Sequence, residues 1–373
     1  MTFCYSPWTN IDIDPQGNIT PCCKFQKQYY DQKFNIQTHS TVEYSNSQLV
    51  TTIKQEFQQG AWPQGCERCR IEEENGIESK RQLDYTRWKH HYDVYDFNSN
   101  KFITTSVAFG NTCNLKCITC GPYASSRWQK EYHDLYGKDI PHFKFYKKNF
   151  VQDFISQAPD IVHLDVPGGE PFLSGVAEQK VLLSHYVNVG QAKNITLHYT
   201  TNAQIFPDEE WWQLWAHFKE VDIQLSIDGV GRRYEYIRHP ANWNKLIANV
   251  IAYQQIHVSN IKLSVSHTVS AYNVYYLDEF FEWCYSMGLP RPWLGRVHTP
   301  QSMRPGVWPK LARDMIVKQL QSSLDPDVLL WANLISTVDE SEFFDEFKSK
   351  LQMHDQYRNT DFNTTFPELA KHI

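Results

Sequence analysis

Cys113, Cys117 and Cys120 stand in the run NTCNLKCITCG with C-x3-C-x2-C spacing. Thiolates are soft ligands that select iron-sulfur clusters, zinc or copper, and three of them this close together can wrap one face of a cluster. No fourth ligand follows nearby. A structural zinc site wants four protein ligands, whereas a cluster iron left without one is open to a small molecule. Five more thiols precede the triad, Cys4, Cys22, Cys23, Cys66 and Cys69, and Cys284 alone follows it. Cys66 and Cys69 form a C-x2-C pair in WPQGCERC, and with Cys4, Cys22 and Cys23 they leave five thiols for a set of four. On spacing alone that set suits an iron-sulfur cluster or a zinc ribbon.

Other groups gather where loops are expected. Pro167-Gly168-Gly169-Glu170-Pro171 combines glycines that let backbone approach a ligand with a carboxylate that can accept from an ammonium. In isolation it reads first as a tight turn opening a helix. Asn202 follows Thr200-Thr201, and an Asn there often only closes a turn. Ser226 and Asp228 are two apart and share a face of a strand. Arg238, in YIRHP, is a natural fork for a carboxylate, with a surface ion pair as its plain alternative. His198 and His267 lie in strand-like runs and could be acid-base groups, although strand histidines are more often structural. Cys284, in an aromatic helical stretch, reads as a buried structural thiol. No residue stands out as catalytic.

The elements that position these groups follow from hydrophobic periodicity. Ile11, Ile13 and Ile19 alternate around Pro15-Gln16-Gly17, a hairpin signal that carries Cys4 into its first strand and delivers Cys22 and Cys23 at its end. A charged, aromatic stretch, 72–100, reads as helix and linker. Strand-like runs then recur at 103–108, 161–166, 195–200, 221–227, 261–269 and 293–297. Helical stretches at 125–135, 176–189, 208–220, 242–257 and 274–287 separate them, which predicts parallel βαβ units with their site at the strands' carboxyl ends. The expected class is α/β, a partial (βα)6 barrel. Residues 1–100 make a cysteine-rich hairpin module and linker, 101–300 the barrel, and 301–373 a helical extension with amphipathic candidates at 308–323 and 340–353. That extension reads as a cap on the open side of the barrel or as a partner contact.

The triad at the end of a first strand resembles the signature of the radical S-adenosylmethionine (radical SAM) enzymes. That resemblance implies a [4Fe-4S] cluster on Cys113, Cys117 and Cys120, whose fourth iron is chelated by the amino and carboxylate groups of SAM. Reduction breaks the sulfonium bond, and a 5'-deoxyadenosyl radical removes a substrate hydrogen atom. It further implies that Gly168, Gly169 and Glu170 take the SAM amino group and that Asn202 lies near SAM. Ser226 and Asp228 would grip ribose hydroxyls or the ammonium, Arg238 would pair with the SAM carboxylate, and the stretch from Thr268 to Asn273 would contact adenine through its backbone. Before the last cysteine, where the family often has an aromatic residue, this chain has Thr119.

The N-terminal cysteines resemble the twitch or SPASM module, whose hairpin ends in Gly-x-x-x-Pro-Cys. The resemblance implies a second [4Fe-4S] cluster on Cys4, Cys22, Cys66 and Cys69, with Cys22 preferred to Cys23. Here the module precedes the barrel, the reverse of the order in the best-known members.

Composition bounds the rest. The 373 residues suffice for one large domain and a smaller one, and 41% are hydrophobic with no run long enough to cross a bilayer. A net charge of −6 sets up no global field for nucleic acid. Nine cysteines behind a start, MTFCYSPW, that lacks a signal peptide point to metal or redox chemistry in a soluble cytoplasmic protein. The expected function is an oxidoreductase that oxidises or crosslinks a peptide, using an auxiliary cluster for electron transfer and a donor such as flavodoxin or ferredoxin. The alternatives are the same chemistry on a sugar, nucleotide or other small molecule, and a non-enzymatic zinc-binding interaction protein.

Overall fold

The computed structural model describes residues 2–26, 28, 34–74, 78–140, 143 and 150–373. Eight strands form one sheet in the order β2-β1-β3-β4-β5-β6-β7-β8. The hairpin strands are β1 (Asn10–Ile13) and β2 (Ile19–Thr20). They are followed by β3 (Thr104–Val107), β4 (His163–Val166), β5 (Thr196–Thr201), β6 (Glu220–Ser226), β7 (Ile261–Val269) and β8 (Trp293–Arg296). The expected run of six parallel strands is present, with differences only at the ends.

From β3 to β8 each strand pairs in parallel with the next one in the chain. Crossovers that keep one hand and always step the same way stack their helices on one side of the sheet. Side-chain alternation matches that geometry. Ile11, Val107, Leu164, Leu197, Tyr199, Ile223 and Leu225 are buried on the helix side, where Tyr199 packs on Trp211 and Trp215 of the helix Glu209–Trp215. The opposite, inner face is polar. Register lines up Asp12, Ser106, Asp165, His198 and Asp222 side by side on five adjacent strands.

Two expectations need correction. Cys4 does not enter a strand: β1 begins at Asn10, and Cys4 precedes a one-turn helix, Ser6–Thr9, started by Pro7 near its N-terminus. The hairpin is also not separate from the main sheet, because β1 pairs in parallel with β3. The sheet therefore crosses the boundary expected at residue 100. Within 72–100 the helix Lys80–Tyr92 opens with a capping box of Ser79 and Gln82, while Asn75, Gly76 and Ile77 lie outside the described residues.

After β8 the chain forms helices Lys310–Leu320, Pro326–Thr337 and Phe344–Arg358. The middle one was not anticipated; Asp325 caps it and Pro326 pre-sets its first turn. The segment completes the core: Phe347 on the last of these helices, Trp308 ahead of the first, and Phe362 and Phe366 beyond the last pack with Tyr236 and Tyr272. No helix among the described residues is long and apolar enough to cross a membrane.

Candidate functional site

The triad loop leaves β3 and is held by backbone on either side of Arg238. Lys116 N–H donates to His239 O and Ile118 N–H to Ile237 O, both at 2.7 Å. Trp128 Nε1 donates to Cys117 O at 3.0 Å. Burial pushes the Cys113 thiol up to about 11 and raises Cys117 and Cys120 as well, with the Arg238 cation opposing it at the last two. Buried thiols that resist ionisation become thiolates when a metal centre compensates their charge, so the donor set fits a cluster.

The motifs expected at the strand ends converge on this loop. Gly169, at φ +54°, lies where a Cβ would be 2.6 Å from Thr112 O and 3.0 Å from Gly110 O, so only glycine lets the β4 loop meet the triad loop. Gly168 packs likewise against Pro15 and Ala108. Glu170 is fully buried and accepts from the Thr201 hydroxyl at 2.7 Å and Asn202 N–H at 2.9 Å. Burial lifts its carboxyl to about 7 against those hydrogen bonds. Glu170 thus ties the β4 loop to the β5 loop. Asn202 Nδ2 in turn donates to Asn114 Oδ1 at 2.9 Å and lies 3.8 Å from the Cys113 sulfur.

Asp228 and Arg238, read from sequence as contacts to different parts of SAM, face each other: Arg238 Nε is 2.8 Å from Asp228 Oδ2. Both are buried, and the other Asp228 oxygen accepts from Thr268 N–H at 2.7 Å. Ser226 lies beside Ser266, hydroxyl to hydroxyl at 3.3 Å. Asn273 spends its side chain on the carbonyls of Asp228 and Thr268 and on Ser270 N–H, closing the loop after β7. Of the two strand histidines, His267 turns to the helix side against Phe280, 4.2 Å between ring centres, and burial holds it down at about 4. His198 faces inward, as does His163 at the start of β4. Cys284 is buried in the core, and burial pushes its thiol up to about 12.

At the other end of the hairpin, Cys4, Cys22, Cys66 and Cys69 line one small cavity with Phe25, Trp62 and Lys80. Burial raises all four thiols, Cys4 to about 11, and each is pushed further by a neighbouring cysteine or carboxylate. No three His, Cys, Asp or Glu side chains among the described residues are grouped to share a single ion. Residues 4–70 match the family model of SPASM, an iron-sulfur cluster-binding domain. The N-terminal segment thus resembles a SPASM-type module.

No curated protein matches the chain. Solved structures that resemble it in part include anSMEcpe with bound AdoMet, at 15% identity and a TM-score of 0.41, over 52% of this chain and 52% of that one. SuiB of Streptococcus suis bound to precursor peptide SuiA is similar at 15% identity and a TM-score of 0.37, over 80% of this chain and 63% of that one. TYW1 with a lysine-pyruvate adduct bound is similar at 14% identity and a TM-score of 0.35, over 70% of this chain and 88% of that one. The match thus spans about half the length of the anSMEcpe chain.

Cys22 and Cys23 point to different places. Cys22 lines the four-thiol cavity of the SPASM module, whereas Cys23 lines a second, polar cavity between the module and the inner face of the sheet. In that second cavity His198 Nδ1 is 2.8 Å from Asp222 Oδ2. Burial works to lower the imidazole, but the Asp222 hydrogen bond and the Asp165 charge outweigh it and raise it above its ordinary value. Apart from His198, the residues of this row escaped the sequence reading. Their signal is the polar half of the strand alternation, in HLDV, TLHYT and EVDIQLS.

Proposed function

We propose that the chain is a radical SAM enzyme. Cys113, Cys117 and Cys120 hold one [4Fe-4S] cluster, and Cys4, Cys22, Cys66 and Cys69 hold a second in the SPASM module. Bound together, the triad cluster and SAM supply the means to remove a hydrogen atom from substrate. The observation that carries this reading is the convergence of the triad loop with the ends of β4, β5 and β6 through Gly169, Asn202 and the Asp228–Arg238 pair. Gly168 and Gly169 present backbone to SAM, and Glu170 and Asn202 hold the surrounding loops in place. Ser226 and Asp228 meet its polar groups, and Arg238 offers a cation next to the thiolates and the SAM carboxylate.

Four cysteines on the second cluster leave none of its irons open, which favours electron transfer over substrate ligation. On that account the enzyme oxidises or crosslinks a peptide, with flavodoxin or ferredoxin as electron donor, in the reducing cytoplasm, where cysteines stay out of disulfides. A sugar, nucleotide or other small molecule is the competing substrate class. Mass spectrometry of candidate substrates after anaerobic turnover separates the two.

The deciding experiment counts iron, sulfide and zinc per chain after anaerobic reconstitution. It compares the wild type with a Cys113→Ala, Cys117→Ala, Cys120→Ala variant and follows SAM cleavage with dithionite. The expected result is about eight irons falling to about four, with 5'-deoxyadenosine formed by the wild type alone. Zinc in place of iron and no SAM cleavage would overturn the proposal.

A further inference from the structure

The cavity between the SPASM module and the sheet has a volume of about 240 Å3, about eight times the liquid-volume share of one water. Its floor is the register row Asp12, Ser106, Asp165 and His198, and its wall includes Lys80 and Trp88. Most charged groups around it already have partners. Lys80 Nζ is 2.5 Å from Asp84, and His198 is bound to Asp222. Arg87 lies on the wall with its guanidinium 5.9 Å from the Trp88 ring centre.

Asp12 and Asp165 are different. They stand on either side of Ser106 without a salt bridge among the described residues; the Lys80 charge acts on both and the His198 charge on Asp165, but through space only. Asp165 Oδ2 accepts from the Ser106 hydroxyl at 3.1 Å, but its buried Oδ1 has no hydrogen-bond partner among the described residues. Asp12 is only 7% exposed, and the little of it that is exposed lines the cavity. Burial and the Asp165 charge together lift the Asp12 carboxyl to about 7. Two adjacent carboxylates offer about eight acceptor positions between them, far more than Ser106 fills. Leaving such groups unpaired is costly, and a cation that brings several N–H donors is the chemistry that relieves it. The Trp88 ring adds an aromatic wall of the kind that favours cations.

We propose that Asp12 and Asp165 form a subsite for a positively charged nitrogen group of the substrate, a protonated amine or a guanidinium. The subsite lies on the inner face of the sheet, with Asp165 two residues ahead of the Pro167-Gly168-Gly169-Glu170 loop. It rests on the radical SAM reading only in taking this cavity as the substrate's.

The test is isothermal titration of the full chain, reconstituted without oxygen, with matched charged and neutral probes. Nα-acetyl-arginine methylamide is compared with its citrulline counterpart, and Nα-acetyl-lysine methylamide with its norleucine counterpart. Agmatine stands for a free small amine. The wild type should bind at least one charged probe tenfold or more tightly than its neutral partner. Asp12→Asn and Asp165→Asn should bring that ratio towards one without weakening the neutral probe. Preference for the capped residue points to a peptide side chain and preference for agmatine to a small molecule, and either supports the subsite. Equal binding of charged and neutral probes, no binding of any charged probe, or a preference unchanged in both variants would overturn it. Where a variant lacks the wild-type thermal transition, the wild-type ratio alone decides. The titration does not depend on SAM cleavage, so the failure of either proposal is visible separately from the other.

Discussion

Arg238 and Asp228 illustrate how one residue pair carries two demands. Both are buried and 2.8 Å apart, so removing one leaves the other's charge without compensation. Asp228→Asn should therefore lower stability by about 3–5 kcal/mol, read from the urea midpoint of the unfolding curve. Replacing both, as Asp228→Leu with Arg238→Met, should recover most of that loss, since an apolar pair avoids the desolvation cost, yet it should not restore SAM cleavage. Gly169 makes a stricter demand. A Cβ at its positive φ costs about 1–2 kcal/mol by itself and would meet Thr112 O at 2.6 Å. Gly169→Ala should retain less iron per chain after reconstitution, by loss at the triad alone. Cysteine spacing, GGE and SxD were legible because short spacings survive without knowledge of the fold. That Asp228 and Arg238 answer each other was not, because nine residues of loop and helix separate them in sequence.

Between elements, the C-terminal helix Phe344–Arg358 is bolted to the helix Gln129–Tyr136 that follows the triad. Glu131 is buried and accepts from His354 at 2.9 Å and Arg358 at 2.8 Å, while Lys116 of the triad loop stands 2.6 Å away. Burial alone would raise the Glu131 carboxyl, but these three partners outweigh it and hold it at about 2, below an ordinary value of 4.5. A depressed folded pKa means the stabilisation is complete above the unfolded value and is lost as pH falls through the folded one. Urea midpoints should drop between about pH 5 and pH 2. Glu131→Gln should be less stable at neutral pH and lose less across that window. The same tail supplies Phe362, buried against Tyr272, Phe347 and Trp308, so Phe362→Ala should cost about 3–5 kcal/mol in the same assay. Periodicity located two of the three tail helices. It could not show that they complete the core and brace the triad loop, since an amphipathic stripe states that it needs a partner without naming one.

Across the whole molecule, one sheet joins the SPASM module to the parallel strands, and β1 draws its hydrogen bonds from β3 about ninety residues later. A fragment of residues 1–100 without metal should therefore show no cooperative thermal transition, because two strands alone are marginal, while the full chain unfolds cooperatively. Both outcomes are read by far-ultraviolet circular dichroism. By itself the sequence determined the six strand–helix units, the polar strand ends and the two groups of thiols. Those depend on periods of 2 and 3.6 and on spacings within a few residues. Only the tertiary structure decided that Cys22 and Cys23 look into different cavities, that His198 faces inward while His267 faces a helix, and that Asp12 stands in one row with Asp165. Register between strands distant in the chain sets the last two relations, and a shift of one residue would reverse those faces.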